Sequence, residues 1–212
     1  ANSSWWFTDD SGLWGERPFL HLGERRVILL PAGEPGTDGA AQSLAALRRI
    51  RSTIPDAALW IFGADEPRTE RVRRENPDLS DALVMPQGDL NSVTRAAACA
   101  LADVLVFPAT VFEPWPQVVL EAQAAGTPAV VSCYGGAQEA VLDGETGSVV
   151  HPHDVDALAD QIARLLADAG LRQRLGEAAQ RRVASMFTLE RQIAATLDAY
   201  GRAYARRKGA AA

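Results

Sequence analysis

Glu113 and Glu121 stand with seven residues between them in the stretch Val111-Phe112-Glu113-Pro114-Trp115-Pro116-Gln117-Val118-Val119-Leu120-Glu121-Ala122. Pro116 suits the start of a helix, where an absent N–H leaves no intrahelical bond unmade. Glu113 then belongs to the loop before the helix and Glu121 to its first turns. The amides of that first turn, beginning with Gln117, form an anion site at the positive end of the helix dipole. Two carboxylates beside such a site would repel a simple phosphate. They suit a ligand that also carries pairs of neighbouring hydroxyls, because an ionised carboxylate is purely an acceptor. A nucleotide sugar has that shape, with a ribose diol, a diphosphate and the hydroxyls of the sugar. Taken as an isolated spacing, the two glutamates would fit a surface loop and a solvent-facing helix position better than a site.

A helix of this kind needs a frame to present it. From Arg26 onward, short apolar runs recur, each closed by Gly or Pro and followed by a helical stretch: Val27–Leu30, Leu59–Phe62, Ala82–Met85, Val104–Phe107, Ala129–Val131 and Ser148–Val150. Continuous apolar runs suit strands buried on both faces of a parallel sheet. Leu44, Leu47, Ile50 and Ile54 mark one helical face before Pro55, and the segment Gln117–Ala125 stops at Gly126. The alternation predicts an α/β, doubly wound parallel sheet of Rossmann-like type, with ligands beyond the carboxyl ends of its strands. The loops to watch are Pro31–Gly39, Gly63–Pro67, Pro86–Asp89, Pro108–Pro116 and Ser132–Ala137. After His153, helical stretches over Val155–Ala167, Leu171–Met186 and Leu189 to about Ala205 are expected to close the domain. Residues 1–25 hold Trp5, Trp6, Phe7, Trp14 and Phe19 without a clear period, and read as an interdomain connector or N-terminal extension whose aromatics cover a flank. An aromatic platform for a sugar or partner is the alternative. The nucleotide-sugar-binding domain would span 26–205, followed by a tail over 206–212.

Composition narrows the classes. The chain has 212 residues, 47% of them hydrophobic, and a net charge of -6. A chain of that length can bury a core without metal or disulfide staples. Its acidic balance excludes a dedicated nucleic-acid binder, which needs a basic face. Lys208 is the only lysine. Cys99 and Cys133 fit neither a disulfide framework nor metal-ligand spacing and read as small core residues. No apolar run is long enough to span a membrane and the start lacks a signal peptide, so the cytoplasm is the expected compartment, with peripheral membrane attachment of a longer protein left open. The start also lacks a methionine, so the chain is expected to begin inside a longer protein. His151 and His153 flank Pro152 in what reads as a solvated turn. Neither a Gly-rich loop ending in Lys-Ser/Thr nor a Gly-x-Gly-x-x-Gly follows the first strand, which sets a dinucleotide-dependent oxidoreductase last.

The segments after the glutamate pair extend the pattern: Ala124-Ala125-Gly126-Thr127-Pro128, then Tyr134-Gly135-Gly136-Ala137-Gln138-Glu139, then Asp143-Gly144-Glu145-Thr146-Gly147. In order and spacing they resemble the donor-binding, C-terminal half of the group 1 (family 4) retaining glycosyltransferases of the GT-B fold. The resemblance is dense from about Asp103 to Tyr200 and more diffuse from Arg26 to Ala102. It implies that Glu113 contacts the hydroxyls of the transferred sugar as an orienting catalytic group and not as a nucleophile. It implies that Glu121 holds the ribose hydroxyls, that amides around Gln117 and Val118 bind the diphosphate, and that the loop end at Met85 lies near the base. Gly135 and Gly136 would let backbone approach the ligand closely, with Glu139 stabilising their loop or capping its helix. The transfer would retain configuration and use no metal and no resident cofactor. The acceptor, a sugar, a lipid or another molecule, would be held by a preceding N-terminal domain, so the 212 residues alone are expected to transfer no sugar.

One stretch departs from the family pattern. Where the family carries an arginine and then a lysine that grip the diphosphate, Pro31-Ala32-Gly33-Glu34-Pro35-Gly36-Thr37-Asp38-Gly39 has Gly33 and Asp38. An acid there would repel a diphosphate unless an arginine from another loop, Arg68 or Arg71, stands in. The alternatives are an unusual donor or a non-catalytic nucleotide-sugar-binding or assembly module that has lost these residues. An epimerase or phosphorylase relative would need catalytic acids or a cofactor lysine, and the only lysine, Lys208, is in the tail. Pro116 matches one of the two residues the family accepts there, and Trp115 reads as packing.

Overall fold

The computed structural model describes residues 23–86 and 92–209. Six strands, β1 (Arg26–Pro31), β2 (Ala57–Phe62), β3 (Leu83–Val84), β4 (Val104–Phe107), β5 (Ala129–Ser132) and β6 (Gly147–Val150), form one sheet in the order β3-β2-β1-β4-β5-β6. Every pairing is parallel, with Leu29 of β1 opposite Trp60 on one side and Leu105 on the other. The strand order reverses between β1 and β4, and that reversal opens a crevice above their carboxyl ends.

Alternation along each strand sorts its side chains into two cores. Ile28 and Leu30 join Leu59, Ile61, Val104 and Val106 under α1 (Ala40–Ile50), α2 (Glu66–Glu75) and α6 (Val155–Ala167), while Val27 and Leu29 join Leu105 and Val131 on the other side. There they meet α3 (Ser92–Leu101), α4 (Gln117–Ala125) and the single turn α5 (Ala137–Ala140). Leu158, Ile162 and Leu165 show why α6 takes its place: all three are buried on one face, each contributing roughly 1.5–3 kcal/mol by leaving water.

Helix starts follow local chemistry. Asp65, Asp154 and Asp168 each accept a bond from an amide three residues on, capping α2, α6 and α7 (Ala169–Met186). At the bottom of the sheet Asp103 accepts from the amide of Val27 at 2.8 Å and pairs with Arg172 at 3.6 Å, tying α7 to β1 and β4. A last helix, α8 (Leu189–Gly209), keeps Leu189, Ile193, Leu197, Tyr200 and Tyr204 between 50% and 68% exposed. None of the described helices is long and apolar enough to cross a membrane.

The α/β parallel sheet, its strand runs and the three closing helices match the expectation, with differences in extent. The run Ala82–Met85 gives only the two-residue edge strand β3, and α8 continues past Ala205. The connector expected over 1–25 lies outside the described residues as far as residue 22, as do residues 87–91 and 210–212. Helix α2 follows the Leu59–Phe62 run as the alternation predicts, but its bounds were not legible because its sequence EPRTERVRRE buries one apolar side chain, Val72.

Helices α4 and α7 touch at a point with no room for a side chain: a Cβ on Gly176 would overlap the carbonyl of Gly126. Gly176→Ala is therefore expected to cost about 1–3 kcal/mol of stability, measured by urea unfolding. An unchanged midpoint would mean the two helices can part freely.

Candidate functional site

The crevice between β1 and β4 is walled by the loops that follow them, and the walls are joined. The amide of Thr110 donates to the carbonyl of Thr37 at 2.8 Å, and the Thr110 hydroxyl does so at 3.3 Å. Along one edge lies the start of α4. Pro116 is its cap residue and supplies no side-chain bond, and the amide of Val119 turns back to the Pro116 carbonyl at 3.0 Å. Among the described residues no hydrogen bond engages the amides of Gln117 and Val118. These are the donors expected for an anion, and they stand at the positive end of the helix.

The loop after β5 fixes the approach to α4. Gly136 donates its amide to the carbonyl of Glu113 at 2.9 Å, and Gly135 has φ +70°. A Cβ on Gly135 would overlap the Glu113 backbone, and one on Gly136 would overlap the Pro114 carbonyl. The glycine pair was expected to let backbone approach a ligand closely, and it makes such an approach within the chain itself. The backbone that they admit is that of residues 113–114, so they seat the motif itself. Trp115 packs on this seat, 5.8 Å from the ring of Phe187, while remaining 45% exposed. Glu139 is exposed and supplies no cap to α5, although its backbone carbonyl accepts from Arg182 at 3.0 Å.

The acids at the crevice differ in their company. Glu113 is half-buried, and no hydrogen bond of its carboxylate is found among the described residues. Glu121 has a side chain only 8% exposed and receives a two-pronged pair from Arg95 on α3, Nε to Oε2 at 3.0 Å and the second nitrogen to Oε1 at 2.9 Å. This hydrogen-bonded carboxylate pushes the Arg95 guanidinium above its usual pKa. Cys99, four residues on in α3, is buried, and that burial, with Glu121 adding to it, pushes its thiol up to about 12. It is a core residue, as read from its Ala-rich surroundings.

Asp38, the acid of the departing stretch, is buried rather than presented to the crevice. It accepts from the amides of Gly33 and Ala40, each at 3.2 Å, and forms an ion pair with Arg68 of α2. Arg68 also donates to the Gly33 carbonyl at 2.7 Å. The expected stand-in arginine thus reaches the loop, but its bonds go to the loop itself. Arg71 is exposed elsewhere on α2.

Met85 does not offer its side chain to a ligand. It is 4% exposed within the core beneath α1 and α2, because the edge strand ends on an inward-facing position. His151 and His153 are exposed, with the His151 ring edge-on to Tyr134 and its Nε2 3.2 Å from the Tyr134 hydroxyl. A concavity of about 630 Å³ beside them, lined by Arg49, His151, His153 and Asp154 among others, contains no residue of the glutamate motif. Among the described residues no group of three or more His, Cys, Asp or Glu side chains is placed to hold a metal ion. Arg95 was not singled out from sequence, since nothing local marks a partner 26 residues away.

A model of the family "Glycosyl transferases group 1" matches residues 20–182, and the chain belongs to that family. It is 36% identical over 170 residues to glycogen synthase of Mycobacterium tuberculosis, covering 76% of this chain and 39% of that protein. It is 37% identical over 155 residues to the GDP-mannose-dependent alpha-(1-6)-phosphatidylinositol monomannoside mannosyltransferase of Mycolicibacterium smegmatis, covering 69% and 40% respectively. Among solved structures, Anabaena HepE in complex with UDP-glucose shares the fold with a TM-score of 0.75 at 21% identity, over 91% of this chain and 54% of that one. The chain spans about two fifths of the length of these curated relatives.

The buried pair in the first loop yields a test. Arg68→Met leaves Asp38 buried without its cation and is expected to cost about 3 kcal/mol in urea unfolding. Asp38→Lys should also destabilise, by setting a second cation against Arg68. Parent-like stability of both variants would mean that the pair is not formed in solution.

Proposed function

We propose that this domain binds a nucleotide-sugar donor in the β1/β4 crevice, for retaining, metal-independent transfer of the sugar to an acceptor. The observation that carries this reading is the pair of unengaged amides, Gln117 and Val118, set between Glu113 and Glu121 at the start of α4. The amides would take the diphosphate, where preorganised donors stabilise charge developing on the leaving group. Glu121 would accept from the ribose diol. Glu113, whose carboxylate has no hydrogen bond among the described residues, would accept from the hydroxyls of the transferred sugar near the reacting carbon. Retention would follow from attack on the face of the departing diphosphate, with Glu113 orienting the sugar and forming no bond to it. The base would meet the backbone near Met85 rather than its side chain. The acceptor would be held by a further domain, so these 212 residues alone would bind donor weakly and transfer no sugar. The two curated relatives include one named for GDP-mannose and the solved neighbour holds UDP-glucose, so the family membership supports a nucleotide sugar without choosing the base.

A second reading, a nucleotide-sugar-binding or assembly module without catalysis, is favoured by one observation: the arginine nearest the first loop is spent on Asp38 and Gly33.

Calorimetric titration with UDP, GDP, ADP and their sugar conjugates tests the site. One nucleotide should bind saturably, and Glu121→Ala should weaken it by about tenfold or more, the loss of charged hydrogen bonds to a diol. In a full-length protein the product should keep the donor's anomeric configuration by NMR, and the rate should survive EDTA. An inverted product or a chelator-sensitive rate would overturn the mechanism, binding without transfer by the full-length protein would favour the non-catalytic binding module, and its silence across the panel an assembly module.

A further inference from the structure

We propose that Arg95 is a positioning residue of the donor site, holding the Glu121 carboxylate in the orientation that reads the ribose diol. The proposal rests on the nucleotide-sugar reading above and adds a residue to it. Two nearly equal bonds, 3.0 and 2.9 Å, join Nε and a terminal nitrogen of Arg95 to the two oxygens of Glu121. This is the fork geometry in which a planar guanidinium fixes the plane of a carboxylate, which a lysine cannot do. A carboxylate offers about four lone-pair positions. The fork occupies two of them, which leaves acceptor capacity for a pair of hydroxyls.

The pair is also placed to matter electrically. Glu121 follows Gln117 and Val118 on the same helix, and its unpaired charge would oppose an anion at their amides. Arg95 cancels that charge locally, and its own side chain is 33% exposed, so solvent and ligand can reach it. The scaffold beneath is rigid: Ala98 and Cys99 of α3 pack with Val119 and Ala122 of α4 in one buried cluster. A merely structural tie between α3 and α4 would use the same two bonds, so the test must read ribose recognition.

UDP, GDP and ADP, each alongside its 2′-deoxy counterpart, are titrated into the full chain and into Arg95→Gln and Arg95→Lys, with thermal unfolding of each variant recorded. The parent is expected to prefer the ribonucleotide by about tenfold, the worth of a charged hydrogen bond. Arg95→Lys should keep the affinity for the 2′-deoxy nucleotide within about threefold while losing most of that preference, since charge remains and the fork does not. Arg95→Gln should lose both. Variants that melt earlier yet keep the parental preference would overturn the proposal and leave the nucleotide site standing, giving Arg95 a structural role only. A parent that binds a nucleotide without preferring ribose would also overturn it. A parent that binds none of the nucleotides would remove the site reading and the proposal together.

Discussion

Two stretches of backbone touching at Gly135–Gly136 and Glu113–Pro114 hold the site together. Hydrogen-bonded backbones can lie this close only where neither carries a Cβ on the facing side, and both positions after β5 meet that demand. The contact brings the loop after β4 against the loop after β5, and α4 starts at Gln117, three residues after Pro114. The direction of its first amides, the distance between the two glutamates and the seat of Trp115 all follow from it. A side chain at either glycine would push the loop outward, and the helix start would move with it.

Electrostatics is the second constraint. The crevice is bordered by Glu113 and Glu121, with Asp38 buried in the loop beside it, and an unpaired negative charge about 4 Å from an anion would cost about 4 kcal/mol at an effective dielectric near 20. Two of the three acids are neutralised from neighbouring helices, Asp38 by Arg68 and Glu121 by Arg95. What remains positive is the helix end itself. The positive potential on offer is therefore that of free amides and helix dipole, with Arg68 and Arg95 engaged in carboxylate pairs.

Much of this was readable in the residues. Apolar runs such as Val104–Phe107 and Ala129–Val131 betray strands buried on both faces, and the spacing from Glu113 to Glu121 around Pro116 marks a loop followed by a helix. The pairing of Asp38 with Arg68 and of Glu121 with Arg95 was hidden, because each joins elements distant in sequence whose approach is set by sheet order. Helix α2 was expected only through the alternation of strand and helix, because its charged sequence with a single buried apolar side chain marks no bounds; the cap at Asp65 fixes its start. That the Met85 side chain turns into the core was not legible either, because the strand before it is only two residues long. The glycine pair was recognised as a place of close approach, but sequence alone could not tell whether ligand or chain would fill the space.

Helix α4 is held at both ends by contacts that leave no slack, the Glu113–Pro114 seat before it and Gly126 against Gly176 after it. A rod clamped in this way has little conformational freedom left to lose. A ligand meeting Gln117, Val118 and Glu121 would encounter donors and acceptor already fixed relative to one another, so the ordering entropy that usually taxes recognition was spent when the domain folded.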